Sequence, residues 1–258
     1  MVLDAASAAK TAAHLRASVR PASRACGDEL RAAGVALVDD VVDAEEEAAL
    51  LALCDTGSWD ASLSRRVQHY GHRFAYAEKR CVPTPTPLPP AFRDVVRRLG
   101  APWPNDGGVQ CTVNEYLPGQ GIAPHVDTHA AFRDGIYALT LGAGVSVRLQ
   151  RNRRAPGERP VRDVYVGPRS LLALTGEARY VYTHGIASRK GDLVADEWVH
   201  RGRRVSLTFR HANDGEACDC GFPHSCDAAA GGAPRLLPTR LRPAPGSAEA
   251  PLGLDPPP

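Results

Sequence analysis

The chain has 258 residues, 43% of them hydrophobic, and a formal net charge of +2 at pH 7. This length suits one domain with tails, or two small domains, and the apolar fraction is enough for a sizeable core. No apolar run reaches the roughly 18 residues of a membrane span, so we expect no membrane segment. The seven cysteines are too unevenly spread for a secreted disulfide framework. The near-neutral charge neither demands nor excludes a nucleic-acid partner, since a local basic groove can lie on such a protein.

The two ends of the chain differ from its middle in composition. Residues 1–26 are rich in Ala, Ser and Arg and carry one acid, which predicts a disordered tail, with an organelle transit peptide as the alternative. Residues 228–258 are mostly Ala, Pro, Gly and Leu without periodicity, which predicts a second disordered tail. We expect a cytoplasmic or nuclear protein, unless residues 1–26 target it to an organelle.

The N-terminal part mixes helical and strand patterns. In chain order, these patterns predict a strand at 34–42, a helix at 43–57, two short strands within 65–80 and a short helix after the proline-rich stretch 84–90. Asp43 is expected to cap the first helix, because three glutamates follow it in the first turn and Gly57 lies just past the end.

From about residue 107 to residue 213, short strand-like runs alternate with turn signals. Examples are "VQCTVNEYL", "GIYALTLG", "SLLALT" and "RVSLTFRH". Many short strands at this spacing predict a β-sandwich or jelly roll. We therefore expect a mostly β fold with flanking helices.

The stretch "PHVDTH" places His125, Asp127 and His129 at every second position. Residues i and i+2 of a strand face the same way, so His125 and Asp127 are expected to point into one cavity. His184, on a later strand, is the best candidate for a third ligand. Two histidines and one carboxylate on one face form the facial triad of non-haem Fe(II) oxygenases, which leaves positions open for a 2-oxo acid and dioxygen.

Two strands carry polar side chains on one face only. In "CTVNEY" and "RVSLTFRH", apolar residues alternate with polar ones. This predicts a lumen that holds a polar ligand between the strands. We expect Arg210 to bind a carboxylate in bidentate fashion, with hydrogen bonds from Asn114 and Tyr116. A dicarboxylate such as 2-oxoglutarate fits, since one end can chelate iron while the other meets an arginine.

A cysteine cluster follows the last strand. The segment "CDCGFPHSC" has the spacing C-x-C-x5-C. Three thiolates and one imidazole would make a closed tetrahedral zinc site. The cysteines are Cys218, Cys220 and Cys226, and the candidates for the fourth ligand are His129, His211 and His224. His224 is favoured by its position within the cluster.

The order of these motifs over roughly residues 30–227 resembles the AlkB family of Fe(II)- and 2-oxoglutarate-dependent dioxygenases. The motifs are "NEY", "HVDTH", "THGI" and "RVSLTFR". The chain is most similar to the homologue-8 type, which hydroxylates a modified wobble uridine in tRNA. The resemblance implies a double-stranded β-helix at 107–213, preceded by an extension with a nucleotide-recognition lid at 27–106 and followed by a zinc-binding segment at 214–227.

The resemblance also implies a role for individual residues. Iron would be held by His125, Asp127 and His184, and zinc by His129, Cys218, Cys220 and Cys226. The residues expected around 2-oxoglutarate are Asn114, Tyr116, Arg204 and Arg210, with Glu115 contributing its backbone. Arg204 is further expected to hold Asp127 by an ion pair and so to orient that ligand.

The stretch "SRRVQHYGHRFAYAEKR" falls where this family places its lid. Basic side chains there are expected to meet phosphates, and aromatic ones to stack on a base. The basic set is Arg65, Arg66, Arg73, Lys79 and Arg80, and the stacking set is His69, Tyr70, Phe74 and Tyr76. For Phe74 and Tyr76, a place in the core is an equal alternative.

The resemblance implies that the substrate is 5-methoxycarbonylmethyl-uridine in tRNA. Animal members carry an RNA-recognition domain and a methyltransferase domain. We expect neither in these residues, so a separate tRNA methyltransferase would make the substrate. Two alternatives stay open: an oxidative demethylase of N-methylated bases in DNA or RNA, and a non-enzymatic zinc-stabilised interaction module. We expect a monomer.

Overall fold

Two antiparallel β-sheets form the core of the computed structural model, which describes residues 22–228 except 63, 76, 102, 104–106, 153, 154, 156, 159 and 214–217. The larger sheet has the order β1-β10-β7-β14-β5-β2 and the smaller one the order β6-β11-β8-β9. The strands of the larger sheet are β1 (Val35–Val38), β2 (Arg66–Tyr70), β5 (Val109–Tyr116), β7 (Ile136–Gly142), β10 (Leu171–Leu174) and β14 (Arg204–His211). Those of the smaller sheet are β6 (Ile122–His125), β8 (Val145–Arg151), β9 (Val161–Val166) and β11 (Tyr182–Ile186).

Two hairpins and four helices complete the described part of the chain. The hairpins are β3 (His72–Ala75) with β4 (Arg80–Pro83), and β12 (Gly191–Val194) with β13 (Glu197–His200). The helices are α1 (Asp28–Ala32), α2 (Ala44–Thr56), α3 (Pro90–Arg98) and α4 (Gly176–Tyr180). Within the described residues, no helix is long and apolar enough to cross a bilayer.

The larger sheet is covered differently on its two faces. On one face, alternate residues such as Val113, Leu207 and Phe209 pack under α2 and α3, and the ring of Phe92 lies 6.2 Å from that of Phe209. On the other face, residues of β7 and β10 pack against the smaller sheet. Because strand side chains alternate between faces, the polar residues between these apolar ones turn toward the space between the two sheets.

The predicted mostly β, jelly-roll architecture is confirmed, and so is the first long helix. Helix α2 begins where the sequence predicts, and the Asp43 carboxylate accepts a hydrogen bond from the backbone N–H of Glu46 at 2.8 Å. The short helices α1 and α4 and the β12–β13 hairpin were not expected. Each of these elements has only four or five residues, too few to show a period in the sequence.

The N-terminal part is built into the sheets. Strands β1 and β2 form the two edges of the larger sheet. Ahead of them, the N–H of Ala22 donates to the carbonyl of Leu193 at 2.8 Å, and Cys26 is buried in the core. The tail predicted over residues 1–26 is therefore too long at its C-terminal end. Its other residues, 1–21, and nearly all of the predicted tail at 228–258 lie outside the described part of the chain.

Gly34 gives a test of this packing. Its φ of 98° lies in the left-handed region, and a Cβ at this position would overlap the carbonyl oxygen of Thr175. We expect Gly34→Ala to lower the free energy of unfolding by at least about 2 kcal/mol, measured by urea denaturation. Gly27→Ala is the control, since a Cβ at Gly27 meets no atom within 4 Å. Equal midpoints for the two variants would contradict the close approach of Gly34 to Thr175.

Candidate metal centres

The first cluster of possible metal ligands lies where the smaller sheet meets the loop after β6. His125 ends β6 and pairs in register with His184 of β11, and the two ring centroids are 4.4 Å apart. Asp127 lies beyond the strand end, so the loop, and not strand alternation, brings its Oδ1 to 3.5 Å from His125 Nε2. The ligand atoms of His125, Asp127 and His184 all lie within 4.8 Å of one another and could hold a metal ion.

The protonation of this cluster suits a metal. His125 Nδ1 lies 2.9 Å from the Ala123 carbonyl oxygen and donates to it, and Nε2 of the same ring faces Asp127. Burial, reinforced by the nearby His125, lowers the pKa of His184 to about 3, so its imidazole is neutral at pH 7. Two imidazoles and a carboxylate on one side of an open space match a facial triad.

Arg210 lowers the pKa of the Asp127 carboxyl group and fixes its orientation. Burial alone would raise the pKa of Asp127, but the charge of Arg210 and the two histidines outweigh it and hold that pKa well below its usual range. Arg210 Nε donates to Asp127 Oδ2 at 2.5 Å. The expectation that Arg204 makes this ion pair is therefore wrong: Arg210, six residues later on β14, reaches across from the larger sheet to orient the ligand.

Polar side chains line the space between the sheets in cross-strand pairs. The register of β14 with β5 gives the pairs Arg204 with Tyr116, Ser206 with Asn114, Thr208 with Thr112, and Arg210 with Gln110. Arg204 is only 5% exposed, its guanidinium carbon lies 5.3 Å from the Tyr116 ring centroid, and its Nη2 donates to Thr140 Oγ1 at 2.9 Å.

Arg204 lacks an anionic partner. It takes part in none of the ion pairs seen among the described residues, and burial lowers its pKa to about 10. A buried guanidinium without a counter-charge is costly, so the lumen is suited to a negatively charged ligand.

Glu115 does not line this lumen. It lies between Asn114 and Tyr116 on β5, so its side chain points to the opposite face of the sheet. There its carboxylate accepts hydrogen bonds from Arg66 Nη2 at 2.8 Å and Arg203 Nε at 2.7 Å. Its backbone is part of the ladder with β14 and β2. The side chain of Glu115 therefore has no part in the lumen, and the expected contribution of its backbone to the co-substrate site stays a prediction.

The second cluster brings the loop after β6 together with the cysteine segment. His129 Nδ1 lies 3.3 Å from Cys220 Sγ, and the sulfurs of Cys218 and Cys226 are 3.6 Å apart. These separations are close to the edges of about 3.5–3.8 Å that a tetrahedron with metal–N and metal–S bonds of about 2.0 and 2.3 Å would have. All four ligand atoms lie within 4.8 Å of one another.

His129 is thus the fourth candidate ligand of this cluster. His224, which the sequence motif alone favoured, does not belong to it. His224 is exposed, and His211 donates through Nδ1 to the carbonyl of Ala212 at 2.8 Å. Burial, with a contribution from Arg179, lowers the pKa of His129 to about 4, so its lone pair is available. Burial raises the pKa of Cys218 to about 12, which means that a cation is needed to hold thiolates here.

Arg179, which the sequence analysis missed, fixes the loop that serves both clusters. It is fully buried on α4 and donates to the carbonyl oxygens of Asp127, Thr128 and Phe132 at 2.8, 3.0 and 3.3 Å. The signal that was available is the position of this arginine in "SLLALTGEARYVYTHGI", where most of the neighbours are apolar.

The expected stacking and phosphate-binding residues of the lid divide into buried and exposed ones. Tyr70 is a core residue, since its ring packs edge-on against Phe92 at 5.4 Å and its hydroxyl donates to Gln68 Oε1 at 3.0 Å. The expectation that Tyr70 stacks on a base is therefore wrong. Arg65 is also buried, and Arg66 is paired with Glu115 and lies over the Trp59 ring.

The remaining lid residues are more open. Arg73, Lys79 and Arg80 are exposed on the β3–β4 hairpin. The ring of Phe74 lies 6.1 Å from that of Phe132, and the half-buried His69 places Nδ1 3.3 Å from Thr112 Oγ1. Tyr76 lies outside the described residues.

The fold is a jelly roll with a possible facial triad at one end and a basic lumen behind it. This combination is typical of Fe(II)-dependent oxygenases. The profile of the 2OG-Fe(II) oxygenase superfamily matches residues 44–210. The solved structure of OsALKBH1 superposes with a TM-score of 0.52 at 17% identity, covering 69% of this chain and 96% of that one, which supports the fold alone.

Two relatives are closer in sequence. The alkylated DNA repair protein ALKBH8 homolog of Arabidopsis thaliana is 36% identical over 77% of this chain and 64% of its own length. The tRNA (carboxymethyluridine(34)-5-O)-methyltransferase ALKBH8 of Macaca fascicularis is 35% identical over 75% of this chain and 32% of its own length. The chain belongs to the 2OG-Fe(II) oxygenase superfamily as an AlkB-family dioxygenase domain of the ALKBH8 type. That membership implies Fe(II), 2-oxoglutarate and dioxygen.

The assignment of the second cluster can be tested by metal content. Cys220→Ser should release the metal held by the cysteine cluster and lower the melting temperature, because a closed site contributes folding free energy directly. His129→Ala should release the same metal, and His224→Ala, the matched control, should retain it. Elemental analysis of the purified variants measures this. Loss of the metal in His224→Ala with retention in His129→Ala would contradict the geometry.

Proposed function

We propose that this domain hydroxylates a modified uridine of tRNA in an Fe(II)- and 2-oxoglutarate-dependent reaction. One observation carries the enzymatic part: the triad of His125, Asp127 and His184 opens onto a lumen whose buried Arg204 has no carboxylate partner in the described protein. A dicarboxylate that chelates the metal at one end and meets the guanidinium at the other satisfies both groups. This arrangement argues against a purely structural interaction module.

His125, Asp127 and His184 would hold the iron. When iron and 2-oxoglutarate are bound, they supply the oxidising power by which dioxygen yields succinate, CO2 and a hydroxylated substrate carbon. The protein keeps the His184 imidazole neutral by burial, which lowers its pKa, and keeps the Asp127 carboxylate ionised through Arg210. It thereby presents three ligands on one side and leaves the other side for the co-substrate and dioxygen.

Zinc is the proposed metal of the second cluster. Three cysteine sulfurs and one imidazole nitrogen form a closed tetrahedral set, which is typical of structural zinc. The set has no open position, so this ion would stabilise the C-terminal segment and take no part in the reaction. Residues 218–228 would thereby be fastened to the loop that carries the iron ligand Asp127.

A nucleic-acid substrate is supported by the surface beside the triad. The hairpin β3–β4 exposes Arg73, Lys79 and Arg80, which suit contacts to phosphates. On the same hairpin Phe74 reaches the ring of Phe132, over which the Arg210 guanidinium lies at 5.2 Å. The basic hairpin is therefore connected to the metal centre by one aromatic contact.

The choice of tRNA rests on the relatives. The macaque relative is named for methyl transfer to carboxymethyluridine at position 34 of tRNA. The product of such a transfer is 5-methoxycarbonylmethyl-uridine, which we propose as the substrate, made by a separate methyltransferase. The second candidate is oxidative demethylation of N-methylated bases, since a relative from Caenorhabditis elegans, 25% identical, is named a DNA N6-methyl adenine demethylase.

Mass spectrometry of nucleosides distinguishes the two candidates. After incubation of tRNA with the Fe(II)-loaded protein and 2-oxoglutarate, we expect 5-methoxycarbonylmethyl-uridine to be replaced by a nucleoside heavier by one oxygen atom. Loss of methyl groups from N-methylated bases, with that uridine unchanged, would contradict the tRNA hydroxylase and favour the demethylase.

Asp127→Ala tests the metal assignment within the same assay. Removing the one anionic ligand of a partly open site should abolish both hydroxylation and succinate formation. The cysteine cluster shares no ligand with the triad, so the variant should keep its zinc by elemental analysis. Undiminished turnover by a folded Asp127→Ala protein would rule out the facial triad.

A further inference from the structure

Arg65 lies beside the co-substrate lumen, although its position in the sequence placed it among the residues of the lid. It directly precedes β2, where Val67 pairs with Asn114 and Arg66 with Glu115. One step back along this register, Arg65 lies next to Tyr116, on the side opposite Arg204. Its guanidinium carbon is 5.9 Å from the Tyr116 ring centroid, compared with 5.3 Å for that of Arg204.

The side chain of Arg65 points into the lumen and not to the surface. Arg65 is 9% exposed, and its Nε donates to Asn114 Oδ1 at 3.0 Å. Arg66, the next residue, points to the other face of the sheet and pairs with Glu115. The alternation along β2 therefore separates one inward arginine from one outward arginine, and only the outward one has a carboxylate partner.

The two buried arginines of this region, Arg65 and Arg204, would be stabilised by a bound anion. Among the described residues, no ion pair involves Arg65 or Arg204, yet both are buried and both contact the same tyrosine ring. Two buried guanidiniums without a counter-charge are mutually unfavourable. One carboxylate, which can accept up to four hydrogen bonds through its two oxygens, can pair with both at once.

We propose that Arg65 binds the distal carboxylate of the 2-oxo dicarboxylate together with Arg204, and thereby selects dicarboxylate over monocarboxylate 2-oxo acids. This inference rests on the proposed function, because it assumes that the lumen takes a 2-oxo acid. It removes Arg65 from the set of phosphate contacts. A nucleic-acid phosphate would have to enter the space between the sheets to reach this guanidinium.

The test compares two ligands that differ only at the distal end. Arg65→Met replaces the charged side chain with an apolar one of similar length. The dissociation constants are measured by isothermal titration calorimetry on the Mn(II)-loaded protein, which binds 2-oxo acids but does not turn them over. The two ligands are 2-oxoglutarate and 2-oxopentanoate, in which a methyl group replaces the distal carboxylate. We expect Arg65→Met to raise the dissociation constant of 2-oxoglutarate about tenfold or more and to leave that of 2-oxopentanoate unchanged.

Three further variants serve as comparisons. Arg204→Met should show the same selective loss, because it removes the other guanidinium of the pair. Arg97→Met, which removes an exposed arginine paired with Asp94 on α3, should change neither constant. Arg65→Lys keeps the charge but loses the planar guanidinium. Its dissociation constant for 2-oxoglutarate should therefore lie between those of the wild type and Arg65→Met.

Three outcomes would overturn the inference. Equal weakening of both ligands by Arg65→Met would mean that Arg65 acts by holding Asn114, and unchanged constants would mean that it has no part in binding. If Arg65→Met does not fold, Arg65→Lys decides, and wild-type affinity for both ligands in that variant overturns the inference. Failure of the wild-type protein itself to bind 2-oxoglutarate would instead contradict the proposed function.

Discussion

The buried guanidinium of Arg179 is the constraint on which both candidate metal centres depend. It donates to three backbone carbonyls between Asp127 and Phe132, and it does so from the short helix α4 just before β11, the strand of His184. Burial lowers the pKa of Arg179, so the interior opposes its charge, and the carbonyl partners offset that cost. A loop without regular structure thereby acquires a fixed path. Because Asp127 and His129 lie on that path, one interaction positions a ligand of each cluster.

The two clusters differ in what surrounds them, and that difference separates their roles. The triad opens onto a lumen lined by polar pairs from β5 and β14, where Arg204 has no anionic partner among the described residues. The cysteine cluster lies beside aromatic rings: Tyr180 lies 4.9 Å from the His129 ring and stacks at 5.6 Å on Phe222. Three ligands facing an open, charged space suit a reactive metal, whereas a complete set of four ligands suits a structural one.

The sequence predicted what depends on local pattern. Strand alternation in β5 and β14, and the Asp43 cap of α2, follow from neighbouring residues, and the structure confirms them. The grouping of His125, Asp127 and His184 was also expected, although the reason was wrong for Asp127, which lies on a loop and not on the strand. Motif order predicted the candidate ligands that the structure brings together, but it carried no information on the path of the chain between them.

What the sequence could not predict depends on which strand lies beside which. Tyr70 is a core residue because β2 pairs with β5 in a register that turns Tyr70 toward the helices, as it does Cys111. The same register turns Arg65 inward. Arg204 and Arg210 have like chemistry on the same face of β14, so only the distance to the opposite sheet shows that Arg210 is the partner of Asp127.

The central claim is that one loop serves two different metals, an iron held by nitrogen and oxygen and a zinc held mainly by sulfur. X-ray absorption spectroscopy of the metal-replete protein, at the iron and zinc edges separately, tests it most directly. The structure predicts zinc with three sulfur neighbours at about 2.3 Å and one nitrogen at about 2.0 Å, and iron with nitrogen and oxygen neighbours alone. Sulfur in the first coordination sphere of iron, or zinc without sulfur, would contradict the account.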